Sequence, residues 1–130
     1  MEEKYHVGLV KHLGIDLVEV TPQRVVGELA IRDELRTLGV ALHGGTLMAL
    51  ADTVGAMGTV ASLAPGQSTS TIESKTNFFA AGRSGKVRAV STPLHKGRRT
   101  HVWETRVTDE SGRLLSLTIQ TQIVVEAKPE

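Results

Sequence analysis

A chain of 130 residues with a net charge of +1 is long enough to bury one hydrophobic core and too weakly charged to gather nucleic acid. It contains no cysteine, which excludes disulfides, thiolate zinc sites and cysteine nucleophiles and makes a reducing cytoplasm the default expectation. The first residues are acidic where a signal peptide starts basic, and no uninterrupted apolar run reaches the roughly 18 residues of a membrane span, so a soluble chain without a membrane partner is expected.

Residues 2–12 predict a short amphipathic helix, with Tyr5, Leu9, Val10 and Leu13 at helical spacing and Gly14 as a stop. Residues 14–20 and 24–31 predict two strands around the turn Thr21-Pro22-Gln23, with Val25, Gly27, Leu29 and Ile31 on one face. A loop over 32–42 then leads to HGGTLMALADTVGAMGTVAS, residues 43–62, which predicts a helix apolar on all sides and therefore buried. Asp52 is its one charged side chain. Burying an unpaired carboxylate costs several kcal/mol, so such a group implies a partner or a purpose.

Ala64-Pro65-Gly66-Gln67 ends the helix, and the rest of the chain predicts four strands separated by Gly82-Arg83-Ser84-Gly85, Lys96-Gly97 and Asp109-Glu110-Ser111-Gly112. In the last, Leu115, Leu117, Ile119, Thr121, Ile123 and Val125 face one way and Ser116, Thr118, Gln120 and Gln122 the other. Without repeat or linker, residues 1–130 read as a single domain of α+β class. Its expected form is a curved antiparallel sheet of about six strands wrapped around one long buried helix. Such a sheet covers only part of an all-apolar helix, so the remainder implies a second copy of the chain.

The run Val40-Ala41-Leu42-His43-Gly44-Gly45, followed by Thr46 to Gly55 with an acid at Asp52, resembles the signature of hotdog-fold acyl-CoA thioesterases. Asn77-Phe78-Phe79, Gly85-Lys86-Val87-Arg88, His95-Lys96-Gly97-Arg98-Arg99-Thr100 and Asp109-Glu110-Ser111-Gly112-Arg113-Leu114 resemble that family's later strands in order and spacing. The likeness covers roughly residues 12–125 and leans toward the branch with phenylacetate-pathway and 4-hydroxybenzoyl-CoA thioesterases. It implies hydrolysis of aryl or short to medium acyl-CoA thioesters by a homodimer or a dimer of dimers. It implies no cofactor, since coenzyme A is part of the substrate.

The residues fit that chemistry. Thioester hydrolysis builds negative charge on the carbonyl oxygen, and prearranged donors stabilise it. A helix beginning near His43 offers the free N–H groups of Gly44 and Gly45 at its positive end, although a tight turn needing glycine explains HGG alone equally well. Asp52 lies about 12 Å beyond Gly44 at 1.5 Å rise per residue, too far for one carbonyl to meet both. A shared site between two antiparallel helices is therefore expected, with Asp52 as general base or as nucleophile. The plainer alternative for Asp52 is a carboxylate paired inside an interface. His43 is a candidate donor to substrate or a structural hydrogen-bonder at the helix start.

Thr37, six residues before His43, stands where parts of the family place a long amide that contacts the thioester. Ala56 stands where some relatives carry a hydroxyl, and Ala80-Ala81-Gly82 where relatives often have a proline. Arg98 and Arg99, with His95, Lys96, Lys86 and Arg88, suit the phosphates of coenzyme A; a basic turn alone reads better as an ordinary charged turn between two strands, and the resemblance favours phosphate contact at Arg98 or Arg99. His95 and His101 lack a second-ligand pattern and read as surface histidines, so no metal is expected. Trp103, with Thr105 and Val107, reads as packing. Two rival functions share the fold: a non-catalytic acyl-CoA sensor and an acyl-thioester dehydratase, the latter disfavoured by the spacing of HGG to the acid.

Overall fold

A computed structural model describes residues 3–127, so the expected helix start at Glu2 lies outside the described residues. The N-terminal segment is not one helix. A 3-10 turn over Glu3–Tyr5 is followed by α1, Gly8–Leu13, because Val7 is extended and Gly8 adopts a left-handed φ of 53°. Leu13 is buried, and Tyr5 and Val10 pack against the core, but Leu9 points out at 61% exposure. Gly14, left-handed at φ 74°, closes α1 with its N–H toward Val10 and Lys11 carbonyls.

Strands β1 (Asp16–Val20) and β2 (Val25–Ala30) follow the expected positions closely. The loop before the long helix is not featureless. A 3-10 turn over Asp33–Leu35 drops Leu35 into the core. Helix α2 then runs Gly44–Val60, inside the expected 43–62. The remaining strands are β3 (Gln67–Phe78), β4 (Lys86–Lys96), β5 (Thr100–Thr108) and β6 (Leu114–Glu126). All six pair antiparallel in one sheet of order β1-β2-β4-β5-β6-β3, and α2 packs against one face of it. This is the hotdog arrangement. Leu47, Leu50, Ala51 and Val54 of α2 are buried, while Gly45, Met48, Asp52 and Ala56 lie along a stripe the sheet leaves uncovered.

Strand β6 inverts the usual rule. Ser116, Thr118, Gln120 and Gln122 are the buried side, turned toward α2, and Leu117, Ile119 and Ile123 are half-buried on the opposite face of the sheet. Leu115 leaves its expected column because a register shift beside it lets it enter the core next to Ser116. At the other edge, β3 presents a long strand paired on one side only, by β6.

Close approach of α2 to β5 and β6 rests on two glycines. A Cβ at Gly55 would stand 2.1 Å from Oε1 of Gln120, and one at Gly58 would stand 2.3–2.6 Å from three ring carbons of Trp103. Alanine normally gains about 1 kcal/mol over glycine inside a helix. Here Gly58→Ala is expected to destabilise by about 1–3 kcal/mol. Thermal unfolding followed by circular dichroism should show Tm lower by roughly 5–15 °C, and an unchanged Tm would mean that α2 does not sit this close to Trp103.

The Trp103 ring is fully buried and its Nε1–H donates to Thr59 Oγ1 at 2.9 Å. Thr59 Oγ1 also meets His101 Nδ1 at 3.0 Å. His101 is thus not the surface histidine expected but a buried one. Burial, and then the charges of Lys96 and His95, hold its imidazole below the ordinary pKa of 6.5.

Candidate active site

The loop entering α2 is held by Arg36, whose guanidinium donates to the carbonyls of Val40 and Arg83, and by the His43 N–H donating to Leu35 O at 2.9 Å. Between them Thr37 N–H donates to Ala41 O at 2.9 Å, forming a tight turn with Leu38 at its tip, 99% exposed. Thr37 is exposed on this turn beside the helix start.

His43 is the N-cap of α2, and its ring takes part in the cap. Gly45 N–H donates to His43 Nδ1 at 2.7 Å. As an acceptor, Nδ1 carries no proton, which places the proton of the neutral ring on Nε2. The expectation of two free glycine N–H groups is therefore corrected to one. Thr46 and Leu47 both donate to His43 O, so of the first four N–H groups of α2 only that of Gly44 has no hydrogen bond to the described residues. It points from the positive end of a helix of 17 residues, where a developing anion is stabilised. Gly44 also lies under the half-exposed Phe78 ring, 3.2 Å from where a Cβ would sit.

Asp52 lies two turns further along, on the uncovered stripe and half-buried. Its carboxylate is not unpaired. Thr71 Oγ1 donates to Oδ1 at 2.6 Å, and Gln120 Nε2 donates to the same oxygen at 3.1 Å and to the Asp52 carbonyl at 3.3 Å. Oδ2 has no hydrogen bond to the protein among the described residues. The support continues outward: Gln120 Nε2 also donates to Gln122 Oε1 at 3.0 Å, and Gln122 Nε2 to Thr69 Oγ1 at 3.1 Å. Thr71, Gln120 and Gln122 were not singled out by the sequence reading. The polar column of β6 was legible there, but not that it faces Asp52. The missed signal was that a carboxylate on an apolar helix needs donors from the strand beneath it.

The basic residues divide. Arg98 and Arg99 lie in the exposed β4–β5 turn, closed by Gly97 N–H donating to Thr100 O at 2.8 Å. That turn sits beside the C-terminal end of α2, where Lys96 Nζ donates to Ser62 Oγ at 2.9 Å and to the Pro22 carbonyl and lies 5.4 Å from the centre of the Trp103 ring. Lys86 and Arg88 do not join it. They occupy the opposite end of β4, about 30 Å away at 3.3 Å rise per residue, where Arg88 pairs with Glu28 at 3.7 Å. A depression of about 410 Å³ lined by Tyr5, Leu17, Val20, Met57 and Val60 contains none of the candidate residues. Among the described residues, no three His, Cys, Asp or Glu side chains gather as a metal-holding group, and no helix is long and apolar enough to cross a membrane.

Within one chain, then, His43 and Gly44 stand together, Asp52 stands about 12 Å along the same helix, and Arg98 and Arg99 lie toward its far end. Proteins similar to this chain include several named as thioester hydrolases. The chain is 31% identical to a 1,4-dihydroxy-2-naphthoyl-CoA hydrolase of Listeria monocytogenes, over 85% of this chain and 90% of that one. It is 33% identical to the proofreading thioesterase EntH of Cronobacter turicensis, over 81% and 77% respectively. The crystal structure of thioesterase HI1161 from Haemophilus influenzae superposes with a TM-score of 0.93 at 26% identity, covering 98% of this chain and 90% of that one. The family model described as the thioesterase superfamily matches residues 39–116, from the turn before His43 into β6, and the chain belongs to that superfamily.

Proposed function

We propose that this chain hydrolyses acyl-CoA thioesters, with aryl or short to medium acyl groups, to the free acid and coenzyme A. The observation that carries the reading is the single unsatisfied N–H of Gly44 at the head of α2, on the same helix as a carboxylate whose Oδ2 is free. The N–H receives the oxyanion, and Asp52 supplies either a water activated for attack or the attacking oxygen itself. Their separation assigns them to one thioester only across two chains: Asp52 of one protomer with Gly44 of the partner subunit. His43, whose Nδ1 accepts from Gly45 and whose Nε2 is left to donate, is a further donor at that mouth, and Thr37 on the adjoining turn borders it.

Two surfaces support self-association as a dimer or a dimer of dimers. One is the open edge of β3 beside the uncovered stripe of α2, and the other is the apolar outer face of β6. Arg98 and Arg99, exposed and unpaired with any acid among the described residues, suit the phosphates of the coenzyme. The absence of cysteine suits a cytoplasmic setting.

The test is thiol release from a panel of acyl-CoA thioesters, each run against the same acyl group on N-acetylcysteamine. Hydrolysis is expected, with KM lower for the coenzyme form and rising about tenfold toward the short form when Arg98 and Arg99 are both changed to alanine. Binding without thiol release would instead support a sensing module. Equal KM for both carriers, unchanged by the arginine substitutions, would remove coenzyme A from the assignment.

A further inference from the structure

Thr71 Oγ1 lies 2.6 Å from Asp52 Oδ1 and 2.5 Å from Gln122 Oε1. Both neighbours accept, and a threonine hydroxyl has one proton to give. Turning the Gln122 amide over does not resolve this, because its nitrogen would then face Gln120 Nε2 at 3.0 Å. Turning Gln120 over as well would aim its oxygen at the Asp52 carboxylate and carbonyl, which its nitrogen now serves at 3.1 and 3.3 Å. Both amides are therefore fixed in the orientation described, from Asp52 outward. Around the Asp52 carboxylate, the Thr71 proton is the choice left open.

We infer that Thr71 is a positioning residue for Asp52: its single shared proton holds the carboxylate by Oδ1 and leaves Oδ2 for the reaction. This rests on the catalytic reading of Asp52 above. While Asp52 is charged, it takes the proton in preference to the neutral Gln122 amide, since a hydrogen bond to an ion is about twice as strong. When Oδ2 accepts a proton from the attacking water, Asp52 loses that advantage and the Thr71 hydroxyl can rotate toward Gln122 Oε1. When the departing thiolate takes that proton from Oδ2, the hydroxyl returns. One proton thus passes from water through Oδ2 to the thiolate, the cluster ends with the protons it began with, and neither glutamine has to move. Thr71 touches neither substrate nor water in this scheme; it acts through Asp52. Gln120, wedged against Gly55, provides the second hold on Oδ1.

The experiment compares Thr71→Val, Thr71→Ala and Thr71→Ser in the wild type and in an Asp52→Asn background, using the best substrate of the thioester panel. Thr71→Val and Thr71→Ala are expected to lower kcat about 10- to 100-fold, the loss of one hydrogen bond to a charged group, with KM within about twofold. Thr71→Ser, which restores the hydroxyl, should stay within about threefold of wild type. In the Asp52→Asn background, none of the three should lower the residual rate further, because residues acting as a unit do not add. The inference is overturned, with the catalytic reading intact, if Asp52→Asn is inactive but Thr71→Val and Thr71→Ala keep full kcat. It is equally overturned if Thr71→Ser loses as much as they do, or if their losses persist undiminished without the carboxylate. Full activity in Asp52→Asn alone would instead remove the catalytic reading on which it rests.

Discussion

Changing Asp52 to asparagine is expected to lower kcat for the best thioester by about 10²–10⁴-fold, the range associated with removing a positioned general base. Asparagine has nearly the same size, and its side-chain oxygen can still accept from Thr71 and Gln120. The cluster beneath α2 should therefore stay assembled, with Tm within a few degrees of wild type. What is lost is the charge and the ability of the free oxygen to take a proton. Rates from initial thiol release at saturating substrate, alongside thermal unfolding, make the check. A variant that folds normally and turns over at the wild-type rate would return Asp52 to the role of a hydrogen-bonded interface carboxylate.

The second large effect is expected from Gly44→Pro. Gly44 is the first residue of α2, the position where proline is best tolerated because the missing N–H has no helical partner. Its predecessor His43 already has the extended backbone, φ −61° and ψ 135°, that a following proline demands. The substitution thus removes the one unsatisfied N–H while leaving the helix start intact; the half-exposed Phe78 ring must shift by a few tenths of an ångström to admit the new side chain. Loss of an oxyanion donor costs about 10²–10³ in kcat, with little change in Tm. Gly44→Ala, which keeps the N–H and crowds Phe78 in the same way, is the control: it should retain most of the activity. Equal losses in both variants would point to crowding rather than to the donor.

The fold was readable because each element carries its own signal. The all-apolar run of α2, the turn residues between strands and the alternation in β2 and β6 place six strands and one helix almost where they lie. The failures have local causes. The N-terminal helix breaks at Gly8, whose left-handed backbone no periodicity records. His101 is buried because Thr59, 42 positions earlier, comes to its Nδ1, a contact set by tertiary packing alone.

The candidate site was legible as a pair of positions, Gly44 and Asp52, because glycines at a helix head and a lone charge are visible one residue at a time. Its supports were not, because Thr71, Gln120 and Gln122 matter only through strand register and through the face of β6 that meets the helix. Grouping Lys86 and Arg88 with Arg98 failed for a related reason: neighbours in sequence along an extended strand are far apart in space.

The inverted face of β6 gives this protein a rival to its own native state. Sliding β6 by one residue would carry Leu117, Ile119 and Ile123 beneath α2 and turn the glutamines outward, which is the arrangement hydrophobic patterning alone would choose. The native register instead keeps the hydrogen-bonded column under the helix, where Gln120 meets Asp52 and Gln122. The defence is the tight turn that launches the strand. There the Asp109 carboxylate takes the N–H groups of Ser111 and Arg113 at 2.9 and 3.0 Å, and Gly112 holds a left-handed φ of 87°. The few residues of this exposed turn, far in sequence from Asp52, help set the register in which the carboxylate meets its donors.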